Sequence, residues 1–187
     1  MIFLRNITII FSLFFLAPFL ILCSIIILIE DGRPIIFLQK RLGLGKKSFS
    51  LLKLRTMKKN TIQAGTHEVD QSFILRSGSV LRKFKIDELL QLINVLKGEI
   101  SLVGPRPCLE TQIELIKCRE DLKIFDIKPG ITGLSQVCGV DMSKPDMLAK
   151  VDSYYIRNQS LSLDCMIIIA TVSGFFQGSL KKKIKLI

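Results

Sequence analysis

Residues 7–29 form the stretch that most limits what this chain can fold into. All 23 of them are apolar except three hydroxyl side chains and Pro18. A helix needs about 20 apolar residues to cross a bilayer, so this stretch is long enough to do so. A cleaved signal peptide is not expected, because no small-residue cleavage site precedes Glu30 and most basic residues lie downstream.

Pro18 leaves two membrane courses open. A proline inside a helix removes a backbone donor and clashes with the preceding turn, so we expect a kink or a break there. The helix either spans with a kink or turns at Ala17-Pro18 and returns to the same side. Because prolines are tolerated in spanning helices, the residues alone favour the span. Nine basic residues against Asp31 alone in residues 31–59 predict a cytoplasmic flank.

The chain is both apolar and basic, with 49% hydrophobic residues and a formal net charge of +11. This combination indicates an anionic surface or substrate, such as membrane lipid, a phosphate ester or nucleic acid. Nucleic acid is not expected, since no recognition motif or series of stacking aromatics accompanies the charge. The five cysteines are odd in number and contain no Cys-x-x-Cys, which predicts reduced thiols. His67, the only histidine, falls in a polar segment expected to be a loop.

Two adjacent carboxylates, Asp87 and Glu88, precede a short helical pattern that ends at Gly98. The apolar stripe predicted to be buried consists of Leu89, Leu92, Ile93 and Leu96. Acidic residues at a helix start are ordinarily stabilisers. Because Arg82 and two lysines lie close by in the sequence, we expect the pair to be ionised and exposed, able to act as a nucleophile, a metal ligand or both.

Two other segments carry candidate phosphate contacts. Strands over residues 34–38 and 49–55 flank a glycine-containing turn, and a period of two places Lys53 and Arg55 on one face as a phosphate or headgroup clamp. The alternative is a solvated basic strand. Two prolines flank Arg106 and fix its backbone, which suits bidentate phosphate contact. A structural arginine at a helix end is the alternative there.

The rest of the chain predicts scaffold and interfacial helices. An amphipathic helix is expected over residues 109–122 and another helix over 147–155, with Asp152 and Tyr155 on one face. Residues 163–176 are apolar but too short to cross unaided, so they form a core helix or lie in the interface. The tail carries lysines that suit anionic headgroups, namely Lys181, Lys182, Lys183 and Lys185.

Six segments together resemble the monotopic phosphoglycosyl transferases, the bacterial sugar transferases that start glycan assembly on a polyprenyl phosphate. They are the apolar stretch with its central proline, FxQxRxG at 37–43, FxxxKxRTM at 49–57, LRKxxxDELxQLxNVLxG at 81–98, SLVGPRP at 101–107 and KPGITGxxQV at 128–137. They run over nearly the whole chain. The chain length fits the small members of the family that carry only the catalytic core.

The resemblance implies an α+β fold that is mainly helical. Residues 1–30 would form a re-entrant membrane helix broken at Pro18, in place of the span that the residues alone favour. Residues 31–187 would form one catalytic domain with a small β-hairpin, amphipathic interfacial helices and the basic tail. The location implied is the bacterial inner membrane, with the catalytic domain facing the cytoplasm.

The resemblance also implies a reaction, the transfer of a sugar 1-phosphate from a UDP-sugar to undecaprenyl phosphate with release of UMP. Asp87 would be the nucleophile that carries the covalent phosphosugar, and Glu88 would hold Mg²⁺. The expected substrate-binding residues are Arg106, for the nucleotide or phosphate of the donor, then Arg82, Lys53, Arg55 and Gln136. Anionic lipids and downstream glycosyltransferases are the further partners expected. The alternative is a non-catalytic basic membrane anchor that binds lipid or a partner protein without using Asp87.

Overall fold

The computed structural model describes residues 2–59, 61 and 71–184, and this part of the chain is mainly helical. The helices are α1 (Ile2–Asp31), α2 (Arg76–Lys83), α3 (Gln91–Leu96), α4 (Ile113–Asp121), α5 (Leu134–Cys138), α6 (Pro145–Arg157), α7 (Leu161–Ser173) and α8 (Gln177–Ile184). The strands are β1 (Ile36–Leu42), β2 (Ser48–Leu54), β3 (Ser101–Val103) and β4 (Gly130–Thr132). The predicted mainly helical α+β class is confirmed. His67, Lys185 and most of the expected loop over residues 58–70 lie outside the described residues.

The chain divides into two compact units. The first contains residues 1–39 and 50–96, and the second contains residues 40–49 and 97–187. The predicted hairpin is present as β1 and β2, and its tip belongs to the second unit. The predicted division into a membrane helix, residues 1–30, and a cytoplasmic catalytic domain, residues 31–187, stays a prediction.

Helix α1 is continuous over 30 residues with Pro18 inside it. The helix is therefore not interrupted at Pro18, because a proline removes only one backbone hydrogen bond and the turns on either side still form. The kink stays a prediction. From Phe3 to Asp31 the helix is long and apolar enough to cross a membrane, and only 17% of its most apolar 18-residue stretch is buried. Its surface suits lipid contact, and its re-entrant course stays a prediction.

The first unit has its core on one face of α1. Leu20, Cys23 and Ile27 follow helical spacing along that face and pack with Leu54, Leu75 and Leu81. Five partly buried side chains pack against this core, namely Leu16, Ile35, Ile86, Leu89 and Leu90. The residues that flank Asp87 in the sequence therefore pack into the core formed with the apolar helix.

The second unit contains a sheet that the sequence pattern did not predict. Strands β3 and β4 run parallel, with Ser101 opposite Gly130 and Val103 opposite Thr132. Helices α5 to α8 contribute to its core, which includes Leu134, Val151, Tyr155, Ile167 and Leu180. Helix α7 lines this core with its buried side and leaves other apolar side chains exposed, Ile169 and Val172 among them. All five cysteines are free thiols, as predicted.

Candidate active site

The two carboxylates lie in a 3₁₀ turn, Ile86–Glu88, and not in the first turn of a longer helix. Helix α3 begins only at Gln91. The predicted buried stripe is wrong: α3 buries Gln91, Asn94 and Val95, while the four predicted residues are half-buried. Hydrogen bonds of a polar side chain explain which face of α3 is buried. The Asn94 amide donates to the Ser50 carbonyl at 2.8 Å and accepts from the Leu52 N–H at 3.1 Å, which turns this face of α3 toward β2.

Asp87 is buried, with 7% of its surface exposed, which corrects the expectation of an exposed pair. The turn that carries it is drawn inward by its apolar neighbours, because Ile86 and Leu89 pack on the core of the first unit. Burial, followed by the Glu88 charge, raises the pKa of Asp87 to about 6, while the Lys53 and Arg82 charges work in the opposite direction. At pH 7 a group with this pKa is still roughly 90% ionised.

Glu88 forms an ion pair with Lys53 of β2. Lys53 Nζ lies 2.8 Å from Glu88 Oε1, and the two side chains are 13% and 16% exposed. Strand β2 therefore brings a cation directly to the acidic pair. The substrate contact predicted for Lys53 stays a prediction.

Arg82 is the second cation at the acidic pair. Its Nε donates to Thr56 Oγ1 at 2.8 Å. Gly78, one helical turn earlier on α2, makes this approach possible, because a Cβ there would clash with the Thr56 backbone. Burial lowers the pKa of Arg82, and the charges of Asp87 and Glu88 oppose that change. Arg82 thus lies within electrostatic reach of both carboxylates.

Arg55 does not join Lys53 in a clamp. Its Nη2 donates to the carbonyls of Asp31 and Gly32 at 3.1 and 2.8 Å, and it lies 3.1 Å from Asp31 Oδ2. The expectation that the two cations share one face failed because β2 ends at Leu54. Beyond that residue the period of two no longer directs the side chains, so Arg55 secures the end of α1 instead.

The end of the apolar helix is also fixed to α2. The Glu30 carboxylate accepts from the backbone N–H groups of Arg76 and Ser77 at 2.6 and 3.1 Å. A carboxylate at a helix N-terminus satisfies unpaired donors and is favoured by the helix dipole. Because α2 carries Arg82, this contact connects the apolar helix to the acidic pair. Sequence reasoning missed it, although Glu30 directly after the apolar run was the available signal.

Arg106 and Gln136 belong to the second unit. Arg106 is half-buried, and its backbone carbonyl accepts from Arg119 Nη1 at 2.8 Å. Gln136 lies on α5 and its amide donates to the Ile131 carbonyl at 3.2 Å. Of the predicted site residues, the structure brings Lys53 and Arg82 to the acidic pair within the first unit. It describes Arg106 and Gln136 within the second.

The second unit contains a buried ion pair that sequence reasoning missed. Arg119 Nη2 lies 2.7 Å from Asp152 Oδ2, and each side chain is 2% exposed. The Ser135 hydroxyl donates to the other Asp152 oxygen at 3.0 Å. Burial raises the pKa of Asp152, and the Arg119 charge opposes this. The sequence predicted an amphipathic scaffold helix over residues 109–122 and placed Asp152 and Tyr155 on one helix face, but neither pattern predicted this ion pair.

The acidic pair offers oxygen ligands for a metal ion. Within residues 2–59, 61 and 71–184 no cluster of three or more His, Cys, Asp and Glu side chains could hold a metal. Mg²⁺, however, is commonly held by one or two carboxylates together with substrate phosphates and water. The carboxylate oxygens of Asp87 and Glu88 therefore fit Mg²⁺ when a diphosphate supplies the remaining oxygens. The ion pair with Lys53 uses one of the Glu88 oxygens.

Comparison with known proteins gives consistent matches. The family model described as bacterial sugar transferase matches residues 3–178. The UDP-N-acetylgalactosamine-undecaprenyl-phosphate N-acetylgalactosaminephosphotransferase of Aeromonas hydrophila is 36% identical over 87% of this chain. The UDP-glucose:undecaprenyl-phosphate glucose-1-phosphate transferase of Caulobacter vibrioides is 37% identical over 83% of it. The uncharacterized sugar transferase EpsL of Bacillus subtilis is also 37% identical over 83%. The chain spans 40%, 62% and 81% of these relatives, respectively.

Proposed function

The chain belongs to the bacterial sugar transferase family, as the sequence motifs predicted, and from that premise we propose that it is a phosphoglycosyl transferase. It moves a sugar 1-phosphate from a UDP-sugar to undecaprenyl phosphate in the first membrane step of glycan assembly. Two relatives are named for transfers to undecaprenyl phosphate from UDP-N-acetylgalactosamine and UDP-glucose. These names support the class of donor and acceptor for this chain.

The reaction proceeds through a covalent intermediate on Asp87. A carboxylate oxygen of Asp87 attacks the donor phosphorus next to the sugar, and the bond from that phosphorus to the UMP oxygen breaks. UMP leaves with that oxygen and its electron pair. A phosphate oxygen of undecaprenyl phosphate then attacks the same phosphorus, which releases the Asp87 carboxylate and forms the lipid-linked diphosphosugar. Covalent catalysis of this kind divides one difficult displacement into two easier ones.

The observation that carries this proposal is the environment of Asp87. It is a buried carboxylate with a pKa raised to about 6, next to Glu88 and within reach of Lys53 and Arg82. A strongly shifted carboxyl group among cations is typical of a functional site. The carboxylate is ionised enough at neutral pH to attack, and its burial reduces the water shell that an exposed nucleophile would have to lose.

The cations have a second role toward the substrates. Donor and acceptor are both anionic, so they repel an anionic nucleophile unless positive charge intervenes. Lys53 and Arg82 supply that charge from the protein. Mg²⁺, held by Glu88, would neutralise the diphosphate and the departing UMP.

The acceptor enters from the lipid side. Ile86, Leu89 and Leu90 pack on the core that α1 shares, and α1 presents an apolar, exposed surface. This arrangement ties the turn that carries Asp87 to a helix suited to the bilayer, where a polyprenyl phosphate resides. We place the protein at the bacterial inner membrane, with the basic flank of residues 31–59 and the site on the cytoplasmic side.

One assay tests the activity. Purified protein receives Mg²⁺, undecaprenyl phosphate and a panel of UDP-sugars, and UMP release is measured. The wild type releases UMP with at least one donor, and Asp87→Asn releases none, because an amide is a very poor nucleophile. Asp121→Asn, which changes an exposed aspartate of α4, is the matched control and keeps wild-type turnover. Turnover in Asp87→Asn would remove the mechanism, and an inactive wild type would favour the non-catalytic anchor.

Two further measurements test the covalent intermediate and the membrane course of α1. Intact-mass spectrometry without acceptor shows a sugar-phosphate added to the wild type and none on Asp87→Asn. Absence of the adduct under trapping conditions counts against the covalent route. For the re-entrant course of α1, a tag at the N-terminus stays inaccessible from outside intact cells, whereas external labelling supports a span.

A further inference from the structure

The Pro105-Arg106-Pro107 segment is held through all three of its carbonyl groups. The Pro105 carbonyl accepts from the Gly130 N–H at 2.9 Å. The Arg106 carbonyl accepts from Arg119 Nη1 at 2.8 Å. The Pro107 carbonyl accepts from Arg41 Nη1 at 3.0 Å. Since both prolines also have restricted φ angles, the backbone that carries Arg106 has little freedom left.

Two of these donors are buried guanidinium groups. Arg119 is 2% exposed and Arg41 is 6% exposed. Burying a charged side chain is costly unless it is paired and hydrogen-bonded. A backbone N–H would satisfy a carbonyl without that cost, as the Leu42 N–H does for the Cys108 carbonyl at 3.0 Å. The use of arginine at two neighbouring carbonyls therefore requires a reason beyond hydrogen bonding of the loop.

The same network reaches the second predicted donor contact. Asp152 on α6 holds Arg119 and accepts from the Ser135 hydroxyl on α5. Ser135 directly precedes Gln136 in the sequence. The chain of contacts Arg106 carbonyl, Arg119, Asp152 and Ser135 thus connects the arginine segment to α5 within the second unit. Three helices and one loop are fixed to each other through buried polar groups.

We propose that Arg119 and Arg41 are positioning residues for donor binding, and that Asp152 keeps Arg119 in place. They hold the backbone of residues 105–107 so that the Arg106 guanidinium is fixed for contact with the nucleotide or phosphate of the donor. This inference rests on the proposed function and on the donor contact that the family resemblance implies for Arg106. A fixed guanidinium binds an anion without first losing conformational freedom, which is the advantage that such a costly support provides.

The test compares the donor KM and kcat of Arg119→Lys, Arg41→Lys, Arg106→Ala and wild type. Lysine keeps the charge but loses the planar fork that reaches the carbonyl. Each Lys variant raises the donor KM by about tenfold and changes kcat by less than about threefold. The matched control is Arg157→Lys, at an exposed arginine of α6, which leaves both constants unchanged.

Double variants decide whether the effect passes through Arg106. In the Arg106→Ala background, Arg119→Lys adds less than about a twofold change in KM, because the side chain it positions is gone. An equal loss in both backgrounds, or a wild-type KM in the single variants, overturns the inference. If thermal unfolding shows that Arg119→Lys is not folded, the same comparison is made with Arg41→Lys. Failure of both to fold assigns these arginines to stability and also overturns it.

The outcomes for the two proposals are distinct. An inactive wild type across the whole donor panel contradicts the proposed function itself. If the wild type is active but the effects of Arg119→Lys and Arg106→Ala on the donor KM are additive, only the positioning roles are contradicted. Calorimetric titration of UMP into the Asp87→Asn protein gives a readout without turnover, in which Arg119→Lys weakens binding and Arg157→Lys does not.

Discussion

Asp87 and Asp152 are both buried aspartates, yet the charges that affect their pKa most are of opposite sign. Burial raises the pKa of each. For Asp87 the next cause is the Glu88 charge, which raises the pKa further. For Asp152 the next cause is the Arg119 charge, which lowers it, and the Ser135 hydroxyl acts in the same direction. One carboxylate sits beside a like charge, and the other is enclosed by a direct partner.

This difference in charge compensation fits a reactive role for Asp87 and a supporting role for Asp152. The Lys53 ammonium group bonds Glu88 at 2.8 Å, and the Lys53 charge lowers the pKa of Asp87 without offsetting the effect of burial. The charge of Asp87 is therefore compensated only partly, so the group remains basic and available to a phosphorus atom. Asp152 has both oxygens committed to Arg119 and Ser135, so it is unavailable to substrate. Burial is common to both carboxylates, and incomplete charge compensation is the feature that supports the role proposed for Asp87.

The largest expected contrast is in turnover. At a temperature where both variants are folded, Asp87→Asn lowers kcat by at least about 10³-fold, as removal of a nucleophile commonly does. Asp152→Asn lowers kcat by less than about tenfold and acts mainly on the donor KM. UMP release under saturating donor measures both. Comparable kcat losses in the two variants would abolish the distinction between a reacting and a supporting aspartate.

The next contrast is the free energy of unfolding of Asp152→Asn. Removing one partner leaves the Arg119 charge buried and unpaired, which costs about 3–5 kcal/mol. Urea unfolding in detergent measures it. Asp121→Asn is the control, because substitution at an exposed site changes stability by less than about 0.5 kcal/mol. A loss no larger than that of the control shows that the pair contributes little.

Asp87→Asn is expected to change stability in the opposite direction. The folded pKa of about 6 lies above the ordinary value of 3.8, so the folded state binds the proton more tightly. The contribution of Asp87 to the stability of the wild type is then greatest below about pH 4 and is lost as the pH rises through about 6, by up to about 3 kcal/mol. The amide has no such cost. Thermal unfolding should place Asp87→Asn above wild type at pH 7.5, with the gap closing near pH 4; a lower midpoint at pH 7.5 contradicts this.

The smallest contrast concerns the pH dependence of the first chemical step. The rate of adduct formation rises with pH and levels off, with its midpoint near pH 6, because only ionised Asp87 attacks. Since Lys53 lowers that pKa, Lys53→Met moves the midpoint up by about half a pH unit. Lys58→Met, at an exposed lysine just beyond β2, leaves the midpoint in place. Rapid quench followed by mass spectrometry gives the rates.

Local patterns predicted the elements of the fold well where packing agreed with them. The glycine turn between two β-patterns produced the hairpin of β1 and β2, and residues 147–155 lie inside α6. The candidates Lys53 and Arg82 do lie at the acidic pair. The buried stripe of α3 failed because hydrophobic periodicity does not register the hydrogen bonds that Asn94 makes to β2. The parallel pair β3 and β4 was missed because strands of three residues are too short to show a period.

The amino-acid sequence by itself determined the apolar helix, the hairpin and the family, because each depends on the order of neighbouring residues or on short motifs. Only the tertiary structure decided that Asp87 is buried with a pKa near 6 and that Arg55 leaves the site for the end of α1. It also decided the pairing of Arg119 with Asp152, 33 residues apart. Burial and charge compensation depend on which distant groups meet in space, and the free energy of an ionised side chain is set by those neighbours.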